Sequence, residues 1–339
     1  MDVRIGRQGT VAKDAWSLNG VLQQFFLCQV KNPAAVAKWT CEHKVNCRLR
    51  QEKAAWAVSA WLVARGNKEE QGWKEMQDRK KGILVVSFGT SYEETRKKTI
   101  DRIEEDVRES YRDYQVYRAW TSGMIRRKLQ KRDGIFIHDV KGAMEQMKQD
   151  GIKEVIIQPT HMINGIENQL MTEDVLSYKD EFEKIEIGAP LLTSQEDSDR
   201  VVKAMADIYS PTGEDALVLM GHGSEHYSNS IYAALDYQFK DEGHNNIFIG
   251  TVEAYPAIES LIRQVEKRGV KRVILAPFMV VAGDHATNDL AGDEEDSWKK
   301  RFEAAGYEVR CVLRGLGEYE EIRDIYMDHI EACVERLEA

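Results

Sequence analysis

Four ionisable residues stand where a chain that builds parallel sheets would bring side chains to a common edge. His222 lies in MGHGS, between glycines that leave its ring free of neighbouring side chains. Glu253 follows the apolar run 247–252, just before Pro256; His285 closes VVAGDH and Glu167 closes MINGIE. Neutral imidazole and carboxylate make a good ligand set for a divalent first-row metal. Imidazole also titrates near neutrality, so the same groups can accept protons. A single residue of this kind ordinarily caps a helix or bonds within a loop. Several at the strand ends of one fold point instead to a site for metal and proton chemistry. His161 and His226 are second-rank candidates, one just past a strand and one four residues beyond His222. His138, His244 and His329 are expected to be solvated or structural.

From residue 80 onward the apolar pattern alternates strand and helix. Strands are expected at 83–88, 115–120, 154–158 and 184–187, and again at 216–220, 247–252, 272–276 and 308–313. Helical stretches lie between them, among them 194–209 and 256–267. A last helix over 318–337 carries an apolar stripe of Ile322, Ile325, Tyr326, Ile330 and Cys333. Four strands and then four strands with helical crossovers predict an α/β protein of two similar Rossmann-like domains, with parallel sheets facing across a cleft. The expected lobes are 76–193 and 194–339, with the C-terminal helix packing on the first.

The two halves also repeat. GIKEVIIQPTHMINGIE (151–167) and GVKRVILAPFMVVAGDH (269–285) share Gly, Lys, Val, Ile, Pro and a second Gly in register at an offset of 118 residues. That register sets Glu167 opposite His285 and His161 opposite Met279. A looser match joins Ser87-Phe88-Gly89-Thr90 to Gly221-His222-Gly223-Ser224, and two matches in the same order imply a duplication. In such a fold ligands bind at the carboxyl ends of the strands.

Composition limits the partners. The 339 residues carry a net charge of −10, which argues against broad nucleic-acid binding. No apolar run approaches the ~20 residues that span a bilayer. The run 21–30 lacks the signal-peptide pattern, so a membrane protein or a periplasmic two-lobed binding protein is not expected. Five cysteines suggest no disulfide framework, and a reducing, cytoplasmic setting fits them. Residues 1–75 differ from the rest: they hold twelve Lys/Arg against seven Asp/Glu and five of the seven tryptophans. Cys41, Glu42, His43 and Cys47 match no zinc spacing. Met76 opens MQDRKKGILVVSFGTSY like a natural start, so 1–75 is expected to be an extension or a misplaced start.

Two stretches suit an anionic ligand. The loop Ser87, Phe88, Gly89, Thr90, Ser91 lacks the spacing and lysine of a Walker motif, and no GxGxxG follows a strand, so no nucleotide is expected. Its N–H groups and hydroxyls suit a carboxylate. Arg126, Arg127, Lys128, Lys131 and Arg132 form the strongest basic cluster of the acidic part. They suit a polycarboxylate, or else form a solvated helix face. Asp293-Glu294-Glu295-Asp296 lies near a helix start, where carboxylates suit the dipole; guiding metal cations to the cleft is the other reading.

Taken together, LVVSFGTSY, TSGMIRRKLQKRDG, MGHGS, VEAYP, MVVAGDHATNDLAGDEEDSWK and GLGE resemble the anaerobic cobalt chelatases of CbiK type, from about residue 80 to the C-terminus. The resemblance implies a class II chelatase fold and ATP-independent insertion of Co²⁺ into sirohydrochlorin (or precorrin-2) during anaerobic cobalamin synthesis. It implies His222, Glu253 and His285 as metal ligands. It places proton acceptance on His222, His285 or Glu167; the anion-binding readings above, with His161, then give macrocycle contacts at Ser87, Gly89, Thr90, Ser91, Arg126 and His161. It also implies a homo-oligomer. Where the family has a further acidic residue, this chain has Ile166. A His/Glu site does not select strongly among Co²⁺, Fe²⁺ and Ni²⁺. An iron or nickel chelatase and a non-catalytic tetrapyrrole or metal carrier are the alternatives.

Overall fold

The computed structural model describes residues 80–339; the expectations placed on 1–75 and on the start at Met76 lie outside the described residues. Strands β1 (Lys81–Ser87), β2 (Tyr114–Trp120), β3 (Glu154–Pro159) and β4 (Lys184–Ile187) form a sheet in the order β2-β1-β3-β4. Strands β5 (Asp215–Gly221), β6 (Ile247–Thr251), β7 (Arg272–Pro277) and β8 (Glu308–Cys311) form a second, in the matching order β6-β5-β7-β8. Every pairing is parallel. The helices are α1 (Glu93–Lys98), α2 (Ile100–Ser110), α3 (Gly123–Asp133), α4 (Val140–Gln149) and α5 (Ile166–Leu176), then α6 (Gln195–Tyr209), α7 (Ser230–Asp241), α8 (Ile258–Glu266), α9 (Trp298–Ala304) and α10 (Glu320–Glu338). All eight strands fall within two residues of their expected limits, and the α/β class with two similar sheets is borne out.

Parallel strands are covered on both faces, which is why they read as unbroken apolar runs. In β1 the pleat sends Leu84 and Val86 to one side, where they meet Met144, Met147 and Val175 from α4 and α5. Ile83 and Val85 point the other way, into a core shared with Leu217 and Leu219 of β5 and with α6 and α10. The second sheet has its own outer core, Val218, Phe248 and Leu275 against Leu261, Val265 and Phe302. Fully burying each such aliphatic side chain is worth about 1.5–3 kcal/mol. The chain's last helix, α10, buries the expected stripe completely. It also bonds to the first sheet and its loops: Tyr326 Oη donates to Thr160 O at 3.0 Å, Arg336 Nε to Glu186 Oε2 at 2.6 Å, and Lys184 Nζ to Leu337 O.

The repeat is visible bond by bond. Beyond β1, Thr121 N donates to Ser87 O at 2.9 Å and Ser122 N to Phe88 O at 3.2 Å; beyond β5, Val252 N donates to Gly221 O at 3.0 Å and Glu253 N to His222 O at 2.9 Å. Leu191 N and Leu192 N bond to His161 O and Met162 O just as Leu316 N and Gly317 N bond to Met279 O and Val280 O. This frame sets Phe88 opposite His222 and Ser122 opposite Glu253. Continuing the register after β3 and β7 sets Glu167 opposite His285.

Candidate metal centre

Three strand-end loops of the second sheet converge. His222 follows β5, Glu253 follows β6 and His285 follows the long connection after β7. One ligand atom from each lies within 4.8 Å of the others. The imidazole rings stand edge to face, 4.6 Å between centroids and 89° apart. All three side chains keep solvent access: 42% for His222, 55% for Glu253 and 36% for His285.

The ring orientations follow from local bonding. His222 Nδ1 lies 2.9 Å from Gly223 O, an acceptor only, so this nitrogen carries the proton and Nε2 keeps a free lone pair. Gly223 holds φ +88°, and a Cβ there would sit 2.9 Å from Thr251 Cβ and 3.0 Å from Ala254 N. Only glycine closes that turn without strain. Glu253 Oε2 lies 3.6 Å from His222 Nδ1. His285 has helical dihedrals and leads a π-helical turn, Ala286–Leu290. Its Nδ1 lies 2.7 Å from Asp289 Oδ2, which again leaves Nε2 free. π-helical turns recur at functional sites. Among the described residues no other set of three or more His, Cys, Asp or Glu side chains meets in this way.

The candidates from the first lobe have different surroundings. Glu167 is exposed in the first turn of α5 and stands outside the three-residue cluster. His161 is buried: Nδ1 is 3.4 Å from Asn168 Oδ1, Nε2 has no hydrogen-bond partner among the described residues, and burial lowers its pKa. Ser87 is buried. Its hydroxyl accepts from Thr160 Oγ1 at 2.9 Å inside the sheet, because the pleat turns residue 87 inward. Thr90 is also buried and accepts from Tyr92 N at 3.2 Å, Gly89 packs on the Trp120 ring, and Ser91 stays partly open. Arg126 donates to Asp139 Oδ2 at 3.1 Å, while its buried Nε has no partner among the described residues. Of the other basic residues, Arg127, Lys128 and Lys131 face solvent, and Arg132 pairs with Asp133 and Ser91 O. The acidic run 293–296 precedes the helix instead of capping it. Ser297 caps α9 by accepting from Lys300 N, and Lys299 lowers the Asp293 pKa by pairing with it.

Three features escaped the sequence reading. Asp289 is one, though its i+4 spacing from His285 was a usable signal. The others are bridges between lobes. Tyr92 Oη donates to Asp284 Oδ1 at 3.0 Å beside His285, and the Gln169 amide meets His226 Nε2 at 3.1 Å. They join distant sequence positions, and no local pattern marks them. Phe88, Met124, Ile166, Tyr227 and Tyr255, all at strand-end loops or first helical turns, are exposed apolar or aromatic side chains. Among the described residues no helix is long and apolar enough to cross a membrane.

A duplicated parallel fold with two imidazoles and a carboxylate gathered at the strand ends of one sheet is that of an α/β protein able to hold a divalent metal. The comparisons with known proteins name it more closely. The family model for cobalt chelatase (CbiK) matches residues 81–335. Sirohydrochlorin cobaltochelatase of Salmonella typhimurium is 41% identical over 256 residues, 75% of this chain and 97% of that protein. Sirohydrochlorin cobaltochelatase CbiKC of Nitratidesulfovibrio vulgaris is 34% identical over 268 residues, 76% of this chain and 92% of that protein. The solved structure of SirB from Bacillus subtilis with Fe³⁺ shares the fold, with a TM-score of 0.54 at 13% identity, covering 76% of this chain and 97% of that one. The chain belongs to the cobalt chelatase (CbiK) family, and its activity is that of a metal chelatase.

Proposed function

We propose that this protein inserts Co²⁺ into sirohydrochlorin, or its precursor precorrin-2, without nucleotide, as a step of anaerobic cobalamin synthesis. The observation that carries this reading is the convergence of His222, Glu253 and His285 at one strand-end edge, in a chain 41% identical to a sirohydrochlorin cobaltochelatase. Metal–ligand bonds of about 2.1 Å allow at most ~4.2 Å between ligand atoms, so the three groups need draw together only slightly to hold the ion.

The macrocycle lies at the strand ends, with exposed apolar side chains such as Phe88 and Tyr255 against its faces. Its carboxylates meet Arg126 and loop N–H groups. Co²⁺ rests on the free Nε2 atoms of His222 and His285 and on the Glu253 carboxylate. The ring deforms, pyrrole nitrogens displace the protein ligands one after another, and two N–H protons leave as the dication enters, so charge balances. Glu167, exposed on the first lobe, accepts protons there, and a histidine freed of metal accepts them on the second. The reading includes self-association, which light scattering of the purified protein measures.

Purified protein mixed with sirohydrochlorin and Co²⁺, with no ATP, is expected to shift the macrocycle's absorbance at a protein-dependent rate, faster than with Fe²⁺ or Ni²⁺. Faster insertion of iron or nickel would reassign the metal. Stoichiometric binding without turnover would make the protein a carrier.

A further inference from the structure

We propose that Asp289 is a positioning residue for the substrate metal: it fixes the His285 ring so that Nε2 faces the ion. This rests on the reading of His222, Glu253 and His285 as the ligand set and adds the group that orients one of them.

The two imidazoles of that set are held by unlike partners. The His222 ring is aligned by a backbone carbonyl, Gly223 O, which the chain cannot lose by substitution. The His285 ring has only a side chain, with Asp289 Oδ2 2.7 Å from Nδ1. The carboxylate is an acceptor only, so the contact selects the Nδ1–H tautomer and removes rotation of the ring about its Cβ–Cγ bond.

Asp289 is itself held firmly. It sits in the π-helical turn between Ala286 and Leu290, both buried, with Leu290 part of the second lobe's outer core. Behind it Gly292 N bonds to Asn288 O at 2.9 Å, and a Cβ on Gly292 would lie 2.2 Å from that oxygen, so the turn closes tightly. Asp289 is still 44% exposed in its side chain, and among the described residues its only hydrogen-bond or ion-pair partner is His285. A surface carboxylate that is anchored through its backbone and committed to one imidazole fits orientation of a ligand better than stabilisation of the fold. Groups that orient metal-binding histidines typically contribute about 10–100-fold in metal affinity.

The test is calorimetric titration of Co²⁺ into the full chain, without tetrapyrrole, for the wild type, His285→Ala, Asp289→Ala, Asp289→Asn and the double variant His285→Ala/Asp289→Ala, each checked for folding by its thermal transition. Asp289→Ala is expected to weaken Co²⁺ binding by about 10–100-fold and to raise the KM for Co²⁺ more than it lowers kcat. Asp289→Asn keeps an oxygen for Nδ1–H and is expected to recover most of the affinity. In the His285→Ala background the loss of Asp289 should change nothing further, since there is no ring to orient. If Asp289→Ala fails to fold, Asp289→Ser replaces it, with the same expected loss. Unchanged Co²⁺ affinity in Asp289→Ala or its replacement, or a loss that adds fully to that of His285→Ala, would overturn the proposal. If His285→Ala itself binds Co²⁺ like the wild type, the ligand set is wrong; if only the Asp289 variants do, the ligand set stands and this proposal alone falls.

Discussion

At the carboxyl end of the first sheet the chain places Phe88, Ser122 and Glu167; at the carboxyl end of the second it places His222, Glu253 and His285. The two sets share a strand order and the pair of hydrogen bonds that tie each first-strand loop to its neighbour. Both loops also turn on a glycine with positive φ, Gly89 at +103° and Gly223 at +88°. A duplicated scaffold therefore fixes where three side chains will stand, and their identity decides what each half does. One half carries two imidazoles and a carboxylate within 4.8 Å. The other carries an exposed aromatic, a helix-capping hydroxyl and an exposed carboxylate. The division suggested by this contrast is metal on the second lobe, with an aromatic contact to the macrocycle and one proton acceptor, but no metal ligand, on the first.

Substitutions at matched positions break or sharpen that division. The largest effects belong to the second lobe: His222→Ala and His285→Ala should each lower cobalt insertion by about 10³-fold or more with the fold intact, since each removes a ligand from the transferred ion. Near-normal insertion by either folded variant would reject the assignment. At the position matching His285, Glu167→Gln should lower kcat by about 10²-fold, the usual worth of a placed proton acceptor, and leave Co²⁺ affinity unchanged. At the position matching His222, Phe88→Ala should raise the KM for the macrocycle about tenfold, as expected for one aromatic contact of roughly 1.4 kcal/mol. A cobalt-binding defect in either first-lobe variant would show that the lobes are not divided as described. The matched glycines act mainly on stability. A Cβ at Gly89 would lie 2.6 Å from the Trp120 ring and one at Gly223 2.9 Å from Thr251. Gly89→Ala and Gly223→Ala should each cost about 1–3 kcal/mol of stability in denaturant titrations, but only Gly223→Ala should also weaken Co²⁺ binding.

Much of this was legible in the sequence. Strands buried on both faces read as unbroken apolar runs, so 272–276 and 216–220 stood out, and the register of 151–167 with 269–285 gave the duplication before any coordinates. His222 and Glu253 were legible because each lies just past a strand end, and His285 because the repeat register set it opposite Glu167. What was hidden depends on the direction of a side chain or on distant contacts. Ser87 looked like a loop donor, and the pleat turned it into the sheet. Asp293–Asp296 looked like a cap, and Ser297 took that role one residue later. The bridges from Tyr92 to Asp284 and from Gln169 to His226 span 192 and 57 residues and follow only from the way the lobes meet.

The central claim is that the metal is held by the second lobe alone. A crystal of the protein soaked in Co²⁺ without tetrapyrrole, with an anomalous difference map recorded at the cobalt absorption edge, tests it directly. One strong peak is predicted within about 2.0–2.2 Å of His222 Nε2, His285 Nε2 and a Glu253 carboxylate oxygen. A strong peak beside Glu167 and His161, with none between the two second-lobe histidines, would contradict the account.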